Sequence, residues 1–221
     1  MINLYNYKGF CAVHNDTSYE FKTVYHHCFL NNIPFIKVKN NQPCPNDYIP
    51  TGSVEWCILS LNKSITPNYY PNWLSNHLYR KVWKSDKWIL NKKLFVKPAD
   101  KHKRFNGFCT HGTYSKKKKP PYWYSDIVHF SNEWRYYITK GKIICAHWYY
   151  GDEINTPDAP KLNIYIPNTF SGTLDFGTIN NNTLALVEAH EPIGCGWYGR
   201  RDDCTYLQWI IDGWIYMKQI K

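Results

Sequence analysis

EWRYYITKGKIICAHWYY, residues 133–150, reads as a strand, a tight turn at Lys140-Gly141 and a second strand. Aromatic and β-branched residues crowd both arms, and a Lys-Gly pair between such runs marks a hairpin. Downstream, TLDFGTINNNTLALVEAH (173–190) repeats the pattern and turns through Asn180, Asn181 and Asn182. Side chains alternate along a strand, so its second arm delivers Glu188 and His190 onto one face. Two hairpins in one half of the chain predict a mainly antiparallel sheet there, in an α+β architecture.

Upstream lies LFVKPADKHKRFNGF, residues 94–108. Leu94, Phe95 and Val96 suit a short buried strand, Lys97 falls at its end, and Pro98 stops regular pairing. Lys101, His102, Lys103 and Arg104 follow, then Gly107. A lysine fixed at a strand end beside a basic, glycine-containing loop is suited to gripping phosphates, because the loop can add backbone N–H donors. An ordinary hairpin with a solvated basic turn has the same local pattern.

The remaining segments are read more coarsely. Residues 1–50 are polar and interrupted by Pro34, Pro43, Pro45 and Pro50, which predicts a helix and one or two strands. TGSVEWCILSL (51–61) is a Gly52-Ser53 turn leading into an apolar segment. YYPNWLSNHLYRKVW (69–83) has helical spacing from near Pro71, with Arg80 on or beside the apolar stripe. YWYSDIVHF (122–130) is a β-type run, 151–168 a Pro- and Asp-containing loop, and Asp202 to Met217 a helix. KKKKPP (116–121) reads as a solvated loop.

The net charge of +10 favours an anionic partner, and 10 Trp with 19 Tyr supply rings to cover a sheet or line a cleft. No run is long enough for a membrane span, and MINLYNYKGF is no signal peptide, so a cytoplasmic location is expected. Eight cysteines without a CxxC pair predict reduced, mostly buried thiols. Cys11, His14, His26, His27 and Cys28 lack tight structural zinc spacing, and no structural zinc is expected.

Complementary chemistry gathers on the strands: Lys97 and Arg135 are cations, while Asp175, Glu188 and His190 are candidate metal ligands. The succession FVKP, the basic Gly loop, SDIVHFSNEWRYYITKGKIICAHWYYG, LDFGTINNNTLALVEAH and GCGWYG resembles the ATP-grasp superfamily. More narrowly it is similar to a compact, phage- and virus-associated clade. TGSVEW (51–56) and NYYPNWLSNHLYRKVW (68–83) extend that likeness over roughly residues 50–217.

The resemblance implies an ATP-grasp fold with ATP between two subdomains. Residues 1–90 would be an N-terminal pre-ATP-grasp-like region, 91–125 a lid subdomain and 126–221 the larger subdomain. Lys97 and Arg80 would touch ATP phosphates, and the 104–112 loop would close over them with Lys103, Arg104 and Gly107. The backbone of Asp126, Ile127 and Val128 would bind adenine, with Glu133 and Arg135 at the nucleotide edge. Asp175, Glu188 and His190 would hold Mg²⁺ or Mn²⁺. His190 replaces the asparagine of the family's Glu-x-Asn pattern, and imidazole favours ions softer than Mg²⁺.

The implied chemistry is ATP-dependent ligation of a carboxylate to an amine or other nucleophile through an acyl phosphate. Lys97, Arg80 and Arg135 would stabilise charge on the transferred phosphoryl group. The substrate could be a peptide, a protein or an amino-acid-like group, and the basic surface favours an acidic or polyanionic acceptor. In a virus the location would be the host cytoplasm. Two other readings fit the same residues. One is a nucleic-acid-binding module using charge and base stacking. The other is an ATP-grasp protein that binds nucleotide without turnover.

Overall fold

The computed structural model describes residues 2–102, 104–110, 119–151, 154, 156–200 and 205–220. The chain opens with a parallel sheet of β1 (Gly9–Val13), β2 (Phe35–Val38) and β3 (Tyr48–Pro50), with β1 in the centre. The helix α1 (Tyr19–Leu30) makes the crossover from β1 to β2, as parallel strands require. Ser18 caps it by accepting a hydrogen bond from Phe21 N, and Ser53 caps α2 (Val54–Leu61) by accepting one from Trp56 N. The first fifty residues thus form one helix and three strands. The apolar segment after Gly52-Ser53 is a helix.

The second sheet contains β4 (Val82–Ser85), β5 (Phe95–Pro98), β6 (Phe108–Cys109) and β7 (Tyr122–Ser125), antiparallel in the order β4-β7-β5-β6. The helix expected over 69–83 is replaced by a 3-10 turn at Asn72–His77 and then β4. Tyr79 lies in the left-handed region at φ 48°, which ends the helical path, and Trp83 pairs with Tyr124 in the sheet. The 122–130 run is a strand only as far as Ser125. As expected, β5 stops at Pro98.

The third sheet holds β8 (Glu133–Thr139), β9 (Lys142–Tyr150), β10 (Gly172–Ile179) and β11 (Thr183–His190), antiparallel in the order β11-β10-β8-β9. Lys140 and Gly141 have φ of 47° and 75°, as a two-residue hairpin turn requires. A Cβ on Gly141 would also lie 2.9 Å from the Pro167 carbonyl oxygen, so only glycine fits. Asn180–Asn182 form the second turn as one 3-10 turn.

Both faces of β8 are buried. Tyr136 and Ile138 face a core with Leu174, Phe176 and Leu186. Tyr137 faces another, built on α3 (Thr205–Gln219) and the N-terminal sheet. Trp209 of α3 donates its indole N–H to Ile138 O at 3.1 Å. The expected helix residues 202–204 lie outside the described residues. No described helix is long and apolar enough to cross a membrane. Of the described cysteines, Cys11, Cys28, Cys44, Cys57 and Cys195 are free and buried, and Cys109 is free and exposed.

Candidate active site

Strand register draws four charged residues into one row. Arg135 of β8 lies opposite Asp175 of β10, which lies opposite Glu188 of β11. The row then leaves the sheet, because Glu188 Oε2 is ion-paired with Lys97 Nζ of β5. Arg135 Nε and Nη2 donate to the two oxygens of Asp175 at 2.8 and 2.7 Å, a bidentate pair that leaves Asp175 1% exposed. Burial penalises the guanidinium, but Asp175 overrides it and holds the Arg135 pKa well above the ordinary value.

Lys97 is balanced in the same way. Burial opposes its charge, yet Glu188 and the rings of Tyr70 and Tyr69 keep its pKa raised. Its Nζ stands 3.9 Å from the Tyr69 ring centroid, a cation–π contact. Tyr69 is fixed there because its carbonyl accepts from Ala189 N at 2.9 Å. Glu188 also meets His190 Nε2 at 2.5 Å, on the shared face that alternation predicts. Against the cost of burial, His190 and Lys97 hold the Glu188 carboxyl well below the usual range.

Arg80 is brought to the site in an unexpected way. A β-bulge makes Val187 an extra residue opposite the Asp175/Phe176 step. Arg80 answers the disturbed ladder, donating to Leu186 O at 2.6 Å, Val187 O at 2.9 Å and Leu78 O at 3.1 Å. Its guanidinium therefore ties the approach to β4 onto β11, and it lines a cavity at the same time.

Two cavities share Lys97 and Glu188 as a common wall. One, of about 290 Å³, is lined by Arg80, Asp126, Ile127, Val128, Glu133 and Tyr149 among others. Burial, with the charges of Asp175 and Glu188, raises the Glu133 carboxyl against the opposing Tyr149 hydroxyl that donates to it. The other, of about 340 Å³, is reached by Arg135, His190, His102, Gly107 and, from the N-terminal unit, Glu20. A Cβ on Gly107 would stand 2.4 Å from the Phe95 ring, so its loop packs directly on β5.

Arg104 is not drawn to either cavity. It pairs with Asp100 at 2.8 Å and donates to Pro121 O at 3.1 Å and to Lys119 O, within its own sheet's loops. Lys103 and loop residues 111–118, which include the first half of KKKKPP, lie outside the described residues. Several site residues escape sequence reading: Tyr69, Tyr149, Tyr198, Glu20 and the His102–Glu191 pair at 3.2 Å. Alternation places Tyr149 on a strand face, but only the fold shows which face borders a cavity.

Asp175, Glu188 and His190 each offer a ligand atom, all within 4.8 Å of one another. Two carboxylates and an imidazole suit a small divalent cation. Each carboxylate oxygen already accepts from a cation or imidazole, but a carboxylate has about four lone-pair sites, so capacity for a metal remains. The residues fit the ion that the resemblance implies.

Residues 77–208, more than half the chain, match the family model of an ATP-grasp domain, the second family of its clade. Among solved structures, the ATP-grasp ligase PsnB complexed with minimal precursor is similar at 10% identity and a TM-score of 0.37. That match covers 75% of this chain but only 59% of the PsnB chain. No curated protein matches the sequence. With its matched segment running from the turn before β4 into α3, the chain belongs to the ATP-grasp domain family.

Proposed function

We propose that this chain is an ATP-dependent ligase that joins a carboxylate to an amine through an acyl phosphate. The observation that carries the reading is the shared wall: Lys97 and Glu188 border both cavities. ATP would lie in the cavity edged by Asp126, Ile127 and Val128, with its adenine against that backbone and its phosphates toward Lys97. The substrates would meet the γ-phosphate from the other cavity. A carboxylate oxygen of the first substrate attacks the γ-phosphorus and ADP leaves. The amine then attacks the acyl carbon, and inorganic phosphate leaves.

The chain's own residues supply positioning and charge. Lys97 and Arg135 stabilise the negative charge of the transferred phosphoryl group in a partly desolvated site, where fixed cations act strongly. Arg80 holds the nucleotide cavity together and completes its cationic edge. A divalent cation held by Asp175, Glu188 and His190 would neutralise phosphate charge. Gly107 and its loop, which pack over β5, exclude water from the acyl phosphate. Within this proposal 91–125 acts as the lid, 126–221 as the larger subdomain and 1–90 as the substrate-facing region.

The test is ADP release from Mg·ATP against pooled carboxylates and amines, with amino acids, peptides and nucleic acids in separate pools. Release that needs both a carboxylate and an amine, and is lost in Glu188→Gln, is the expected result. ATP binding with no release in any pool would leave a nucleotide-binding protein without turnover. Salt-sensitive nucleic-acid binding that survives Glu188→Gln, without ADP release, would favour the binding module.

A further inference from the structure

The larger cavity has a wall that ATP chemistry leaves unassigned. Lys97, Arg135 and His102 take Glu188, Asp175 and Glu191 as partners, all from the third sheet or the residue just after it. Glu20 comes instead from the first turn of α1, in the N-terminal unit. Its carboxylate is located by Gly196: a Cβ built there would lie 3.7 Å from Glu20 Oε1 and 3.6 Å from the Tyr198 hydroxyl. Glu20 and Tyr198 thus converge over one open point on the cavity wall. The Gly196 carbonyl is already engaged, accepting from the Tyr137 hydroxyl at 2.5 Å. The side-chain groups that meet a ligand at that point are the carboxylate and the phenol.

The charge of Glu20 reaches across this wall. Tyr206 is raised well above the ordinary tyrosine value, first by burial and next by Glu20. Tyr198 is raised as well, chiefly by burial, with Glu20 among the charges that add to it. A carboxylate with this reach would repel a second anion, so it does not serve the carboxylate substrate or the phosphates. It favours a cation, and an ammonium gains a charge-assisted hydrogen bond there. A volume of about 340 Å³ suits a group of amino-acid size.

We infer that Glu20 is the substrate-binding residue for the acceptor, and that the acceptor presents a primary amine. This rests on the ligase reading and gives it a substrate class: a primary amine, entering past the N-terminal unit, with Glu20 holding its nitrogen beside the shared wall.

The probes are 1,5-diaminopentane and its hydroxyl counterpart 1,5-pentanediol, titrated by ligand-observed NMR onto the full chain in the presence of Mg²⁺ and a non-hydrolysable ATP analogue. The parent is expected to bind the diamine and not the diol. Glu20→Gln, which keeps the shape and removes the charge, is expected to weaken diamine binding about tenfold. Glu55→Gln, an exposed carboxylate in the first turn of α2, controls for general loss of negative charge. The thermal midpoint and nucleotide affinity of Glu20→Gln should equal the parent's, which separates a lost contact from a damaged fold. Diamine binding that is absent in the parent, equal to diol binding, or unchanged in Glu20→Gln would overturn the inference. Glu20-dependent amine binding with no ADP release in any pool would sink the ligase reading alone. Amine-dependent ADP release with an unaltered acceptor KM in Glu20→Gln would sink the Glu20 assignment alone.

Discussion

The sheet of β8, β9, β10 and β11 and the sheet of β4, β5, β6 and β7 both bring charge to the site, but they secure it differently. In the larger sheet Arg135 finds Asp175 on the adjacent strand, through two hydrogen bonds and with almost no exposure. In the smaller sheet Lys97 reaches across to Glu188, on a strand of the other sheet. The first pair is fixed by register before any ligand arrives. The second spans the wall between two cavities, so a phosphate can share or replace Glu188 as the partner of Lys97. One sheet supplies preorganised electrostatics, and the other a cation whose partner can change.

The largest effect should come from breaking the fixed pair. Arg135→Met leaves Asp175 buried without its counter-ion and should cost about 3–5 kcal/mol of stability. Urea unfolding of Arg135→Met and of Arg135→Met with Asp175→Leu would measure it, and the double variant should recover much of the loss. A single variant as stable as the parent would erase the contrast between the sheets.

His190 tests the exchangeable side. Restoring the family's asparagine with His190→Asn should shift metal-dependent nucleotide affinity from Mn²⁺ toward Mg²⁺ by several-fold, because imidazole favours the softer ion. Identical metal preference in the two proteins would remove His190 from the ligand set.

The smallest effect concerns Glu133. Burial raises its folded-state pKa, with Asp175 and Glu188 adding to the shift and Tyr149 opposing it. A carboxyl raised on folding contributes stability below its unfolded pKa and loses it as pH rises through the folded value. Glu133→Gln has no such titration, so its stability relative to the parent should improve between about pH 4 and pH 7, by an amount on the order of 1 kcal/mol. Thermal midpoints of both proteins across that range would show it. Parallel curves would mean that the carboxyl feels no net burial cost.

The contrast also explains what the sequence discloses. Hairpins are local: Lys140-Gly141 and the three asparagines announce both turns, and alternation then fixes Glu188 and His190 on one face. The row from Arg135 to Glu188 follows from those hairpins once the central strands pair. Residues 69–83 mislead because helical spacing survives in a 3-10 turn, while the left-handed Tyr79 that ends it has no local signature. The parallel N-terminal sheet is hidden because its pairings join strands distant in sequence. The bulge at Val187 is equally silent, and with it the reason Arg80 reaches the site. Arg104 is basic and well placed in sequence, yet Asp100 and two carbonyls claim it. Glu20 sits in a segment without a motif, and only folding carries it to the cavity.

The central claim is that the Lys97 ammonium passes from Glu188 to the phosphates of ATP. Calorimetric titration of ATP with and without Mg²⁺, into the parent and Lys97→Ala, tests it most directly. Binding should require the metal, and Lys97→Ala should weaken it by about 1.5–3 kcal/mol, the range for a charge-assisted hydrogen bond. Equal affinity in the two proteins would contradict the account.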